Sequence, residues 1–169
     1  MNTSIVTRWA AVAAVSVASL VALPAAPATA DPAGTNVVIN EVYAHGGTAN
    51  GLYKNRYFEL YNPTSAPISV DGWSLQGRSA TGVGTFNTKT DLGAKTIAAG
   101  GYLLVAGAGQ PENTTAIPTP DVTGSINVSA SGGQVALAKT TTLLTGNRET
   151  LLANRDLVDL VGFGSSTLS

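Results

Sequence analysis

The sequence predicts an all-β protein, an antiparallel β-sandwich that follows a cleaved signal peptide. Three observations support this fold class. Apolar and polar residues alternate with period two in short bursts, which is typical of strands with one buried face. Glycine, proline, asparagine or aspartate bounds each burst, and the chain contains 19 glycines and 8 prolines. No stretch beyond the signal peptide carries the apolar spacing of a long helix.

Composition and charge exclude several classes of function. The chain has 169 residues and no cysteine, which excludes disulfide frameworks, thiolate metal sites and cysteine nucleophiles. Its 9 basic and 10 acidic groups give a formal net charge of -1, so the protein as a whole does not attract nucleic acid or anionic membranes. Any binding of that kind requires a local patch. The length suits one domain.

Residues 1–30 are interpreted as a secretory signal peptide. Arg8 supplies the positive charge, residues 9–23 are apolar apart from two serines, and Ala28-Thr29-Ala30 offers small residues to a signal peptidase. The alternative is an N-terminal membrane anchor, but no charged stop-transfer sequence follows. We expect cleavage after Ala30, a linker at 31–36 and a secreted, extracellular protein with no membrane span after cleavage.

The first two predicted strands lie close together in the sequence. The first, 36–43, precedes a glycine-rich loop at 44–51. The second, 56–62, alternates tyrosine and glutamate with phenylalanine and leucine. Pro63 ends it, because proline has no N–H to donate to a neighbouring strand.

Two more short strands, 68–70 and 73–76, flank a turn at Asp71-Gly72. Trp73 follows this turn and shares a strand face with Leu75. Since a tryptophan buries a large area and the sequence has few other aromatic core candidates, we expect Trp73 to fill the core between the two sheets.

Glycine turns and a proline-marked loop separate the remaining predicted strands, of which 102–106 is continuously apolar, as in a central strand. Residues 140–155 are ambiguous, because their leucines suit either a short helix or a long hairpin loop. In total we expect seven to nine strands, the later ones at 96–97, 102–106, 124–128, 134–139 and 157–163.

Four motifs occur in a set order, and together they are more specific than any one of them. They are Val38-Ile39-Asn40-Glu41-Val42, Tyr57-Phe58-Glu59-Leu60-Tyr61-Asn62-Pro63, Val70-Asp71-Gly72-Trp73-Ser74-Leu75 and Ile97-Ala98-Ala99-Gly100-Gly101-Tyr102-Leu103-Leu104-Val105. With these motifs the chain resembles the lamin-tail domain in its bacterial secreted form. The resemblance covers roughly residues 37–164 and leaves 165–169 as a C-terminal tail.

The resemblance implies an immunoglobulin-like sandwich and a role without catalysis or a cofactor. Similar domains are non-catalytic modules, often beside extracellular nuclease, phosphatase or other hydrolase domains, and in animals they form the tails of nuclear lamins. We therefore expect a binding or assembly module at or outside the bacterial cell surface, with an extracellular polymer or protein as its partner. The alternative is an accessory domain, possibly binding nucleic acid, of a secreted nuclease or phosphatase whose catalytic part is absent from this chain.

Glu41 and Glu59 are candidate metal ligands, because both lie within otherwise apolar strands, where an unpaired carboxylate is costly. If their strands are neighbours, the two carboxylates converge and could hold a divalent cation. The structural alternatives are salt bridges to Lys54 or Arg56, or a row of side chains facing solvent. A metal-dependent hydrolase using the same two residues is a third hypothesis.

Tyr53, Lys54, Arg56 and Tyr57 are the candidate binding residues, because they interleave basic groups with rings able to stack on bases or on sugars. Two neighbouring charges neutralise few phosphates, so a solvated strand edge is the alternative. No catalytic residues are predicted. The sequence contains no Gly-x-Ser-x-Gly motif, and the single histidine, His45, lies in a glycine-rich loop.

Overall fold

A computed structural model describes residues 34–49, 51–110 and 115–166. The predicted signal peptide at 1–30 lies outside the described residues. Within the described ranges, no helix is long and apolar enough to cross a membrane. These residues form ten strands and one short helix: β1 (Val38–Tyr43), β2 (Asn55–Tyr61), β3 (Ile68–Ser69), β4 (Ser74–Ser79), β5 (Thr88–Asp91), β6 (Thr96–Ile97), β7 (Tyr102–Gly109), β8 (Val122–Thr123), β9 (Gly132–Ala138), α1 (Arg148–Leu152) and β10 (Leu157–Gly164).

The strands build two four-stranded sheets and a small two-stranded one. Sheet A has the order β1-β2-β7-β8, sheet B has the order β10-β9-β4-β5, and β3 pairs with β6. Every pair is antiparallel except β7 with β8, which is parallel. The predicted all-β sandwich is confirmed.

The main core lies between the two sheets, and alternation along each strand supplies it. Phe58 and Leu60 of β2 point inward, while Leu75 of β4 and Leu137 of β9 face them from sheet B, and all four are fully buried. Trp73, 9% exposed, belongs to the same cluster, as the sequence predicts. Full burial of each such side chain contributes about 2–3 kcal/mol.

A second, smaller apolar cluster covers the outer face of sheet B. Phe86, Leu144, Leu151 and Leu157 form it together with alanines of β9. The ambiguous segment 140–155 contains the short helix α1, which begins after Asn147, whose side chain accepts a hydrogen bond from the Thr150 backbone N–H at 2.9 Å.

One predicted strand was wrong, and one strand of the structure was not predicted. The strand expected at 124–128 is absent, and the chain instead forms β8 just before it. Ile126 and Val128 are buried, which gives this stretch a period of two. Its backbone N–H groups, however, donate hydrogen bonds to the side-chain hydroxyls of Thr88 and Thr90. The strand at 88–91 was missed because threonines, which give no apolar signal, occupy its inward positions.

Candidate binding site

The outer face of sheet A carries all five tyrosines of the chain. Since Phe58 and Leu60 of β2 point into the core, their neighbours Tyr57, Glu59 and Tyr61 point outward. Strand pairing places Tyr43 and Tyr102 beside them, and the ring of Tyr53 contacts those of Tyr43 and Tyr57. We call this surface the tyrosine face; its tyrosines are Tyr43, Tyr53, Tyr57, Tyr61 and Tyr102.

The five rings form two groups on this face. Tyr43 and Tyr57 are cross-strand partners and stack with ring centroids 5.0 Å apart. Tyr53 meets both edge-on, at 5.4 Å from Tyr43 and 5.9 Å from Tyr57. Tyr61 and Tyr102 stack at 4.7 Å. Such pairs each add about 0.5–1.5 kcal/mol beyond their burial, so the rings are held in place before any ligand arrives.

The loop between β1 and β2 places Tyr53 against the sheet. The Gly47 N–H donates to the Tyr53 carbonyl at 3.0 Å, and the Lys54 N–H donates to the Thr115 carbonyl at 2.8 Å. Gly46 lies so close to β2 that a Cβ there would overlap the carbonyl oxygen of Asn55. Glycine at this position therefore allows the loop to approach β2 closely enough to bring Tyr53 to the face.

A β-bulge brings the two candidate metal ligands opposite each other. Val38 and Ile39 pair with Tyr61 and Leu60, but Glu41 then pairs with Glu59 because Asn40 is the extra residue. The Tyr57 hydroxyl donates to Glu41 Oε1 at 2.7 Å, and Asn40 Nδ2 donates to Glu59 Oε1 at 2.6 Å. The structure thus brings the two carboxylates together, as the convergence hypothesis requires.

Glu41, Glu59 and Tyr57 line a pocket of about 190 Å³. Its walls combine aromatic faces, an apolar floor and two carboxylates, and none of the described residues that line it is basic. The arrangement suits a ligand that presents a flat C–H face to the rings and hydrogen-bond donors to the carboxylates. The lining residues are Glu41, Tyr53, Tyr57, Glu59, Leu104 and Pro118.

A family model described as the lamin tail domain matches residues 30–165. The chain belongs to the lamin tail domain family. No curated protein matches the sequence. The match confirms the family resemblance, and the sandwich of the lamin tail domain agrees with the immunoglobulin-like fold that the resemblance implies.

The hydroxyl of Tyr57 is held in its neutral form in this lamin tail domain. Burial raises its pKa well above the ordinary value near 10, and the hydrogen bond to Glu41 and the charge of that carboxylate raise it further, with smaller contributions from Tyr53 and Tyr43. A neutral hydroxyl remains a donor, so the bond to Glu41 persists at neutral pH.

The predicted basic and aromatic cluster is divided between two sides of sheet A. Tyr53 and Tyr57 lie on the tyrosine face, and Lys54 is exposed beside them. Arg56 points the other way, where its Nε donates to the Val128 carbonyl at 2.9 Å and its Nη1 to the Ala108 carbonyl at 3.4 Å. Partial burial lowers the pKa of Arg56. Its role in binding stays a prediction.

Arg56 belongs to a second pocket of the lamin tail domain, about 320 Å³ in volume, at one end of the sandwich. Among the residues that the structure describes, none that lines this pocket is acidic. The guanidinium of Arg78, another lining residue, is engaged elsewhere, because it donates to Gln134 Oε1 at 2.8 Å and to the carbonyls of Gly84 and Gly146. The other lining residues are Ser79, Asn87, Asn127, Val128 and Ser129.

Neither Glu41 nor Glu59 forms the salt bridge considered as a structural alternative. The single salt bridge among the described residues joins Lys89 to Asp91. The described residues also contain no group of three or more histidine, cysteine, aspartate or glutamate side chains placed to hold a metal. The metal role of the glutamate pair stays a prediction.

Sequence reasoning named four of the residues that line the tyrosine-face pocket and missed the rest of the face. Tyr61 had a signal, since alternation in 56–62 places it beside Tyr57 and Glu59. Tyr43 and Tyr102 become neighbours of these residues only through strand pairing across many positions of sequence. No local pattern reports that pairing.

Proposed function

We propose that this lamin tail domain is a secreted, non-catalytic module that binds an extracellular polysaccharide through the tyrosine face, at or outside the bacterial cell surface. The observation that carries the proposal is the placement of all five tyrosines on one face of sheet A, where two of them line a pocket together with two carboxylates. Secretion rests on the interpretation of residues 1–30 as a signal peptide.

The chemistry of the face favours a sugar polymer over nucleic acid. A pyranose ring offers an apolar C–H face that packs on tyrosine, and its hydroxyls donate to carboxylates. A phosphate backbone would instead meet Glu41 and Glu59, whose negative charge repels it. Tyr102, which is 58% exposed and whose ring stacks on Tyr61, extends the platform beyond the pocket, as a polymer requires.

The test is the affinity of the purified protein for a panel of polysaccharides, peptidoglycan and DNA at low and physiological salt. We expect saturable polysaccharide binding that survives physiological salt, and a loss of at least about tenfold in Tyr53→Ala and Tyr102→Ala. Val83→Ala is the matched control, because Val83 is 60% exposed but lies outside sheet A. Unchanged affinity in both tyrosine variants would overturn the proposal.

The alternative is an accessory domain that presents nucleic acid to a nuclease or phosphatase, and the second pocket favours it. Arg56 lines that pocket without any acidic neighbour among the lining residues. In this case Arg56→Gln would weaken DNA binding and make its salt dependence shallower, because each lost phosphate contact lowers the slope. Tyr53→Ala would leave DNA binding unchanged.

A further inference from the structure

Two like charges face each other in the pocket of the tyrosine face. Glu41 and Glu59 are direct cross-strand partners, an arrangement that destabilises a sheet when both groups are negative. The only salt bridge of the described residues lies elsewhere, so no basic side chain of those residues neutralises this pair. The pocket therefore has a net negative charge that an incoming cation would relieve.

Each carboxylate also keeps one oxygen available. Glu41 accepts from Tyr57 and Glu59 from Asn40, in both cases through Oε1. The Oε2 atoms accept no hydrogen bond from the described residues. Glu41 is exposed and Glu59 is half-buried, so both carboxylates can be reached from solvent. Two acceptor atoms at the same pocket thus have no hydrogen-bond donor among the described residues.

The aromatic walls add a second attraction for a cation. Tyr53 and Tyr57 both line the pocket, and a cation near the face of such a ring is stabilised by its quadrupole. The Tyr57 hydroxyl donates its single hydrogen to Glu41 Oε1, so it does not occupy the Oε2 atom of either glutamate. An ammonium group, with three donors and one positive charge, satisfies these acceptors.

We infer that this pocket selects a protonated amino group on a sugar, so that the polymer bound by the tyrosine face carries unacetylated amino sugars. The inference rests on the proposed function and names its substrate class. An N-acetyl group would replace the ammonium with a neutral amide, removing the charge that Glu41 and Glu59 complement. Polymers rich in phosphate or carboxylate are disfavoured by the same two groups.

The test compares glucosamine oligomers with N-acetylglucosamine oligomers of equal length, by calorimetric titration of the purified protein. We expect the glucosamine oligomer to bind at least about tenfold more tightly at low salt, with the difference shrinking as salt screens the charges. Glu59→Gln keeps an acceptor for Asn40 but removes the charge, so it should reduce the preference severalfold. Asp71→Asn removes one charge from an exposed turn and is the matched control.

The possible outcomes separate selectivity for an amino group from polysaccharide binding as such. Equal affinity for the two oligomers would overturn the amine selectivity and leave polysaccharide binding standing. A folded protein that binds neither these oligomers nor any polysaccharide of the panel would overturn both. Tighter binding of a lysine oligomer, with the same dependence on Glu59, would overturn the sugar as the carrier of the amine.

Discussion

The carboxylate of Asp159 accepts a hydrogen bond from the backbone N–H of Ile39 at 2.8 Å, across 120 positions of sequence. Ile39 lies on β1 at the edge of sheet A, and Asp159 lies on β10 at the edge of sheet B. One side chain therefore links the two sheets where their edges meet. It also occupies an edge N–H that would otherwise be open to another strand.

We expect Asp159→Ala to lower the free energy of unfolding by about 1–3 kcal/mol, because the Ile39 N–H loses its partner between the sheets. Chemical denaturation measures the change. Asp156→Ala is the control, since Asp156 is exposed and its carboxylate makes no hydrogen bond with a described residue. Equal stability of the two variants would contradict the role of Asp159 as a link.

Asn62 is expected to be the most sensitive polar residue of the core. Its Nδ2 lies within hydrogen-bond distance of the carbonyls of Ala66, Ile97 and Ala98, at 2.8, 3.1 and 3.0 Å, and its Oδ1 accepts from Thr64. Asn62→Ala leaves these groups without a partner and should cost about 2–4 kcal/mol in thermal or chemical unfolding.

The exposed Asn127 supplies the comparison for Asn62. Its side chain makes no hydrogen bond with a described residue, so Asn127→Ala should change stability by less than about 0.5 kcal/mol. A loss in Asn62→Ala as small as that in Asn127→Ala would show that the network around Asn62 contributes nothing to stability.

Alkaline pH should destabilise the protein through Tyr57. The folded state raises the pKa of Tyr57 above its ordinary value near 10, mainly by burial and then by Glu41. Its contribution to stability is therefore complete below about pH 10 and is lost as pH rises toward the folded pKa, because the unfolded chain ionises first. Denaturation at about pH 8 and about pH 10.5 should show a larger loss in the wild type than in Tyr57→Phe.

Tyr102→Phe controls for the removal of a tyrosine hydroxyl from the same face. Tyr102 is 58% exposed, and its hydroxyl makes no hydrogen bond with a described residue. This variant should lose as much stability at alkaline pH as the wild type does. If Tyr57→Phe behaves in the same way, burial and Glu41 together do not raise the pKa of Tyr57 in the folded protein.

Gly46→Ala should damage the binding face more than the fold. The added Cβ would overlap the Asn55 carbonyl, so the loop must move away from β2 and take Tyr53 with it. We expect polysaccharide affinity to fall at least about tenfold, the near-ultraviolet circular dichroism of the tyrosines to weaken, and stability to fall by about 1–3 kcal/mol. Gly84→Ala, where a Cβ meets nothing within 4 Å, should leave all three unchanged.

Local patterns were enough to predict most of the fold. Period-two alternation and turn residues located β1, β2, β4, β9 and β10, because a strand with one buried face carries that period in its own residues. A continuous apolar run located β7. Alternation gave the wrong answer where a buried apolar residue lies outside any strand, or where a strand has no apolar residues. Ile126 and Val128 are buried without a strand, and the threonines of β5 form a strand without an apolar pattern.

The binding face depended on relationships that no local window contains. The sequence indicates that Glu41, Glu59 and Tyr57 share strands with apolar residues, but their mutual positions follow from the register of β1 against β2. A single extra residue, Asn40, sets that register and brings the two carboxylates opposite each other. Because a bulge and a strand pairing are properties of two segments at once, only the folded chain decides which side chains meet in the pocket.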